Sequence, residues 1–330
     1  MKFKKCAALL LVSSCLLTGC TTSAKKVDSK YVVASLEKGS KTKNIFADNL
    51  YKDIIDNSSN NTTVFNAVLQ NLVDQKFPVN DDMKEDAATI IKQIKAAYKS
   101  NYGDNYKDSL NQALTSAGYK NLSEYRQRMI KQIQYANFLL DYIDDHFDDV
   151  FNDYYQQCSP KYVSLIKLSV SDTSAPTDDE TSKLNEVKEL INNTDKSFGN
   201  IAQDYSDDTT SSKKGALGIV DSKDTSGIAN SYGNDVFNAI ESLKEGEVSD
   251  VITGDDGYYF VKVTSANKKT LKKDLKKTDI DSPLLAYDDY LQYIVFDSYK
   301  INYKDKDIKK IVQGVVNKAL EERKTERGEA

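Results

Sequence analysis

The apolar residues of this 330-residue chain change their period at Lys161, and that change limits what the chain can fold into. Before it, from about Val32 to Tyr155, apolar side chains recur every three to four positions. Val64, Ala67, Val68, Leu69, Leu72 and Val73 form one such stripe, and Ala87, Ile90, Ile91, Ile94 and Ala97 form the next. That spacing lines one face of a helix. A polar Asn/Ser/Thr break interrupts the pattern at residues 57–63. Past Gly118-Tyr119, Ser123 opens a long stripe that runs through Ile130, Ile133, Phe138, Leu139, Phe147, Val150, Phe151 and Tyr154.

From Lys161 to about Ala266 the pattern turns to strands. Tyr162, Val163, Leu165, Ile166, Leu168 and Val170 make a β-rich run, Gly215–Val220 a short strand entered through glycine, and Val248–Ile252 an extended segment. Gly254-Asp255-Asp256-Gly257 is a turn signal ahead of a strand at Tyr258–Val263. Helical stretches at Leu184–Ile191, Phe198–Tyr205 and Val236–Leu243 lie between them. The expected fold class is therefore α+β, with four strands in one compact unit. Helical spacing returns at Leu284–Tyr299 and Ile308–Leu320, after a lysine run from Lys268 to Lys277. Neither helix buries its face alone, so both are expected to dock on the first helical block. The α+β unit would then be inserted in a discontinuous all-α domain, with boundaries at 32–159, 160–266 and 267–330.

The first residues read as an address. Lys2, Lys4 and Lys5 precede an apolar run from Cys6 to Leu17, too short to cross a hydrocarbon core of ~30 Å. The run ends in Leu17-Thr18-Gly19-Cys20, which resembles a bacterial lipobox. Residues 1–19 are expected to leave as a signal peptide, with Cys20 lipidated and residues 20–31 acting as a tether. Cleavage removes three lysines and takes the formal net charge from −5 to −8. It also removes Cys6 and Cys15, so Cys158 alone remains free and no intramolecular disulfide is expected. More than one acyl chain on Cys20 would anchor stably. The expected location is the extracytoplasmic face of a cell membrane.

Composition narrows the chemistry. With 45 basic against 50 acidic residues, a nucleic-acid partner bound through phosphates is not expected. The single histidine, His146, sits among Asp144, Asp145, Asp148 and Asp149 and reads as a solvated helix face, so no metal site is expected. No P-loop, dinucleotide or nucleophile-elbow motif occurs in the chain.

Four segments carry a resemblance. They are Phe198-Gly-Asn-Ile-Ala-Gln-Asp-Tyr-Ser-Asp-Asp-Thr-Thr, Gly215-Ala-Leu-Gly, Leu243-Lys-Glu-Gly-Glu-Val-Ser and Gly257-Tyr-Tyr-Phe-Val-Lys-Val. In this order, over about 105 residues, they resemble a parvulin-type peptidyl-prolyl isomerase domain. With the lipobox and the flanking helices, the chain resembles the extracytoplasmic foldase lipoproteins of Gram-positive bacteria.

The resemblance implies a four-stranded antiparallel sheet with helices, and no cofactor. It implies a catalytic role for Asp208, which stands where the family has Cys or Asp. It implies a proline cup of Leu217, Tyr232 and Val236, loosened because Val236 replaces a larger aromatic residue. Lys167 and Tyr259 stand where the family has two hydrogen-bonded histidines, and both join the expected catalytic set. An ion pair of Lys167 with Asp208 is expected to replace part of that histidine network. The implied partners are unfolded secreted proteins, the membrane through Cys20, and a second copy through the helical domain. The alternative is a holdase that binds chains without turnover, its parvulin module degenerate.

Overall fold

The computed structural model describes residues 26–38, 41–193, 195–277 and 279–329. The expected signal segment, residues 1–19, and the expected lipidation site, Cys20, lie outside the described residues. Along the chain, β1 (Lys26–Val27), β2 (Lys30–Lys38) and β3 (Lys41–Phe46) are followed by α1 (Ala47–Asp56), α2 (Asn61–Lys76) and α3 (Asp81–Tyr102). Next come α4 (Tyr106–Ser116), α5 (Leu122–Asp145), α6 (Phe147–Cys158), β4 (Lys161–Ser169), α7 (Asp178–Asn193), α8 (Phe198–Tyr205) and β5 (Ala216–Val220). The rest is α9 (Ile228–Tyr232), α10 (Asn234–Ser242), β6 (Ile252–Gly254), β7 (Gly257–Ser265), α11 (Lys268–Leu275), α12 (Leu291–Asp297) and α13 (Lys306–Glu326). Among the described residues, no helix is long and apolar enough to cross a membrane.

Contacts divide the described residues into two compact units, one of residues 81–289 and one joining residues 26–80 to residues 290–329. In the second unit α2 packs along α13. Phe65 of α2 is fully buried there, its ring centroid 5.1 Å from Tyr293 and 5.0 Å from Phe296 of α12.

The first unit is built around a sheet of order β5-β4-β7-β6, every neighbouring pair antiparallel. Side chains alternate across a strand, and β4 uses both faces. Ile166 and Leu168 join Tyr258 and Phe260 under Val187 of α7 and Phe198, Ile201 and Ala202 of α8. Val163 and Leu165 join Tyr259 and Val261 under Ile228 of α9 and Val236 and Ile240 of α10. Burial on both faces explains why apolar residues stand at adjacent positions of β4, as in Leu165-Ile166. Each such side chain contributes about 1.5–3 kcal/mol.

Two local devices shape this sheet around the site. Gly215 enters β5 at φ +75°, where a Cβ would stand 2.4 Å from the Leu165 carbonyl oxygen. Only glycine fits that approach. Beyond β5, the same edge of β4 is taken by the loop after α8. Lys167 N–H donates to Ser206 Oγ at 3.0 Å, Asp207 N–H to the Lys167 carbonyl at 2.8 Å, and Ser169 N–H to Asp207 Oδ2 at 2.8 Å. These bonds satisfy the strand's backbone and set the position of the next residue, Asp208.

Several expectations from periodicity are corrected. The helical block expected from Val32 begins instead with strands β1 to β3, because Tyr31-Val32-Val33 is a β-branched and aromatic run that suits extended backbone. The long stripe through Tyr154 is broken at His146 into α5 and α6. Of the extended segment expected at Val248–Ile252, only Ile252 falls in a strand, β6, while Val248 makes a single bridge to Lys262. The helix expected over 284–299 shortens to α12, since Pro283 opens a separate 3-10 turn at Pro283–Leu285.

Candidate active site

Asp208 caps the 3-10 turn Thr209–Lys213, its carboxylate accepting from the Thr210 N–H at 2.8 Å. Tyr232 ends the short helix α9, just before Gly233 at φ +97° turns the chain into α10. From that corner its hydroxyl donates to Asp208, 3.3 Å from Oδ2 and 3.5 Å from Oδ1. Tyr232 also stands edge-on to Tyr259 of β7, with ring centroids 6.2 Å apart.

Lys167 and Tyr259 are direct cross-strand partners in the β4–β7 ladder, so both point to the face that α9 and α10 cover. The expected ion pair of Lys167 with Asp208 is absent. Lys167 Nζ pairs instead with Asp256 Oδ2, and the Tyr259 hydroxyl donates to Asp256 Oδ1. The reason is topological. Asp256 lies in the β6–β7 turn, at the same end of the sheet as Lys167, and its backbone carbonyl accepts from Val170 N–H at 3.3 Å. The Lys167 ammonium also lies 5.6 Å from the centre of the Tyr259 ring, a distance at which cation–π attraction operates.

The charges follow from these contacts. Burial and the neighbouring Asp208 push the Tyr232 hydroxyl well above its ordinary value. Burial, then the hydrogen bond to Asp256, does the same for Tyr259. Both remain protonated donors at neutral pH. The hydrogen bonds from Lys167 and Tyr259 hold the Asp256 carboxyl below the usual carboxylate range.

The expected cup residues separate into floor and rim. Val236 is 1% exposed and lies within the core, so it supports the cup from beneath rather than touching a ligand. Leu217, Tyr232 and Phe237 are half-buried and pack against the same core, and of the three Tyr232 reaches Asp208. Sequence reasoning missed Phe237 and Asp256. Phe237 could have been found from its place beside Val236 at the start of an amphipathic helix. Asp256 was visible only as a turn residue. Thr210 Oγ1, next along the chain from the Asp208 turn, is buried without a hydrogen-bond partner.

Residues 165–265 match the rotamase family described as the PPIC-type PPIASE domain. This chain carries a parvulin domain. The described site is therefore in the domain whose family is named for peptidyl-prolyl isomerisation, and the four-stranded sheet lies inside the matched range except for the first residues of β4.

Among curated relatives, the chain is similar to the foldase protein PrsA of Staphylococcus epidermidis (strain RP62A), at 27% identity over 313 residues, covering 91% of this chain and 87% of the relative. It is 31% identical over 173 residues to PrsA of Staphylococcus aureus (strain MRSA252), which covers 50% of each chain. The chain thus spans about half the length of the Staphylococcus aureus relatives it matches. The crystal structure of PrsA from Streptococcus pneumoniae aligns with TM-score 0.41 and 20% identity, covering 85% of this chain and 99% of that one. In sequence, the chain is thus similar to PrsA foldases along most of its length, and residues 165–265 carry the parvulin domain.

Proposed function

We propose that the protein is a membrane-anchored foldase that assists secreted proteins after translocation, and that its parvulin domain isomerises X–Pro bonds. The reading rests most on one observation: Asp208, Tyr232, Tyr259 and Lys167 converge on one sheet face beside the apolar rim of Leu217 and Phe237. The barrier to be lowered is ~18–20 kcal/mol, because twisting the amide destroys its resonance. No covalent intermediate is required. An apolar rim would hold the proline ring and exclude water, and polar groups would be complementary to the twisted amide rather than the planar one.

In this chain Tyr232, which packs on the same core as Leu217 and Phe237, forms a polar pair with Asp208. Tyr232 holds its proton and points it at a carboxylate, so the pair is oriented before substrate arrives. Lys167 uses one N–H on Asp256 and has others available as donors. A carbonyl oxygen that gains charge as the amide twists is the matching acceptor.

We also propose the five-part division of 1–19, 20–31, 32–159, 160–266 and 267–330 as the working organisation, with Cys20 as the lipid anchor and a homodimer through the helical parts. The test is a refolding reaction limited by proline isomerisation. The isomerase reading requires acceleration at substoichiometric amounts. Suppression of aggregation only near equimolar ratio, without acceleration, would replace it by the holdase reading.

One observation favours that second reading. In the helical unit an open apolar cleft of about 330 Å³ is lined by Tyr51, Ile54, Ile55, Val64, Val68 and Ile308. Leu50, Tyr51 and Ile54 expose nearly half their surface there or beside it. Such a surface suits the apolar side chains of a non-native segment.

A further inference from the structure

We infer that Asp256 is a positioning residue, a carboxylate clamp that fixes Lys167 and Tyr259 in the candidate site. The inference rests on the isomerase reading above. Its basis is geometric. The two oxygens of one carboxylate take separate donors, Oδ2 from Lys167 and Oδ1 from Tyr259. The donors come from different strands, in which they are direct cross-strand partners. The turn that carries Asp256 is itself tied down. Val170 N–H donates to the Asp256 carbonyl at 3.3 Å. Gly257 follows at φ +154°, where a Cβ would stand 2.2 Å from the Leu168 carbonyl oxygen. The clamp is therefore built into the sheet end rather than hung on a free loop.

Without Asp256, Lys167 has a long side chain with many rotamers, and ordering it again on substrate would cost conformational entropy. Tyr259 would keep its ring packing but lose the acceptor that orients its hydroxyl. The charge at the pocket would change as well. Lys167 and Asp256 balance one another, with Asp208 and Tyr232 on the α8 and α9 sides as the other polar neighbours of Tyr259. Both acids of the turn, Asp255 and Asp256, are exposed, but only Asp256 makes these contacts, so the two are not equivalent.

The experiment compares wild type, Asp256→Asn, Asp256→Glu and Asp255→Asn in full-length mature chain, with circular dichroism confirming the fold of each. Catalysed cis–trans exchange of an Xaa-Pro peptide is measured by NMR and separated into kcat and KM. Misplacing catalytic groups by about 1 Å costs up to roughly a hundredfold, so Asp256→Asn is expected to lower kcat by roughly ten- to a hundredfold. KM is expected to stay within about twofold, since the apolar rim is untouched, with partial recovery in Asp256→Glu and no change in Asp255→Asn. Unchanged kcat in Asp256→Asn, or an equal loss in Asp255→Asn, overturns the inference.

A second readout does not need turnover. Ultraviolet titration should show one tyrosine ionising at lower pH in Asp256→Asn than in wild type, because the carboxylate no longer holds the Tyr259 proton. If the wild type shows no catalysed exchange, the isomerase reading fails, and this titration alone decides the clamp. An unchanged titration overturns it.

Discussion

Tyr232 places its hydroxyl 3.3 Å from Asp208 Oδ2, joining the corner after α9 to the turn after α8. This contact ties Asp208 to the ring that packs against Tyr259 and the Val236 core. Replacing Tyr232 by Phe keeps the ring against Tyr259 and removes only the donor. Hydrogen bonds to charged groups contribute about 1.5–3 kcal/mol, which corresponds to roughly ten- to a hundredfold in rate if the bond acts in the transition state. The expected result for Tyr232→Phe is a loss of kcat in that range with little change in KM, measured on proline peptides.

Floor and rim should respond differently to truncation. Val236 is fully covered, so Val236→Ala is expected to destabilise the domain by about 1.5–3 kcal/mol, through lost transfer energy and a small cavity. Val236→Phe is expected to cost about 1–3 kcal/mol through overpacking rather than to tighten the cup. Phe237 is half-buried, and Phe237→Ala should raise KM while changing stability less. Urea unfolding followed by circular dichroism, set beside peptide kinetics, separates the two.

The central sheet could be anticipated from the sequence because its signals are local and doubled. Residues 161–169 are apolar on both faces, and Gly254 to Gly257 announce the final hairpin. The sequence-derived site residues also come together, since strand register alone places Lys167 opposite Tyr259. Their partner was not anticipated. Asp208 and Asp256 are both acids near the end of β4, and choosing between them depends on which loop crosses that end of the sheet. The strands at residues 26–46 were missed because their pairing is solvent-facing, with Tyr31 and Val33 exposed, so no alternation of buried and exposed residues marks them. The break at His146 was missed because the apolar stripe continues through it into Phe147 and Val150.

Two glycines should behave in opposite ways. Gly215 has φ +75°, and an added Cβ would meet Leu165 O at 2.4 Å and Ala202 Cβ at 2.9 Å. Gly215→Ala is therefore expected to cost more than the ~1 kcal/mol typical of a left-handed glycine, because backbone atoms must move. Gly314 lies inside α13 with nothing within 4 Å of an added Cβ. Gly314→Ala is expected to stabilise by about 0.5–1 kcal/mol. Thermal unfolding of each variant gives the sign.

The tyrosines of the parvulin domain set an alkaline limit. Tyr232 and Tyr259 are raised mainly by burial, so their folded values exceed the unfolded value of about 10. Their contribution to stability is full below that unfolded value and is lost as pH rises towards the folded ones. Stability attributable to them should be flat from about pH 7 to 9 and fall above about pH 10. Absorbance at the tyrosinate band should rise in two stages, the later one coinciding with unfolding. Asp256 works in the opposite direction. Its lowered value contributes stability above the ordinary carboxylate range, and that contribution is lost as pH falls through the folded value.

The most direct measurement is cis–trans exchange of a set of Xaa-Pro tetrapeptides by NMR, with the chain from residue 21 onward and with its Asp208→Ala variant. The account predicts exchange faster than the uncatalysed rate in the first and a clear fall in the second. Exchange at the uncatalysed rate for every peptide would contradict it, and the parvulin domain would then be a peptide-binding module within a holdase.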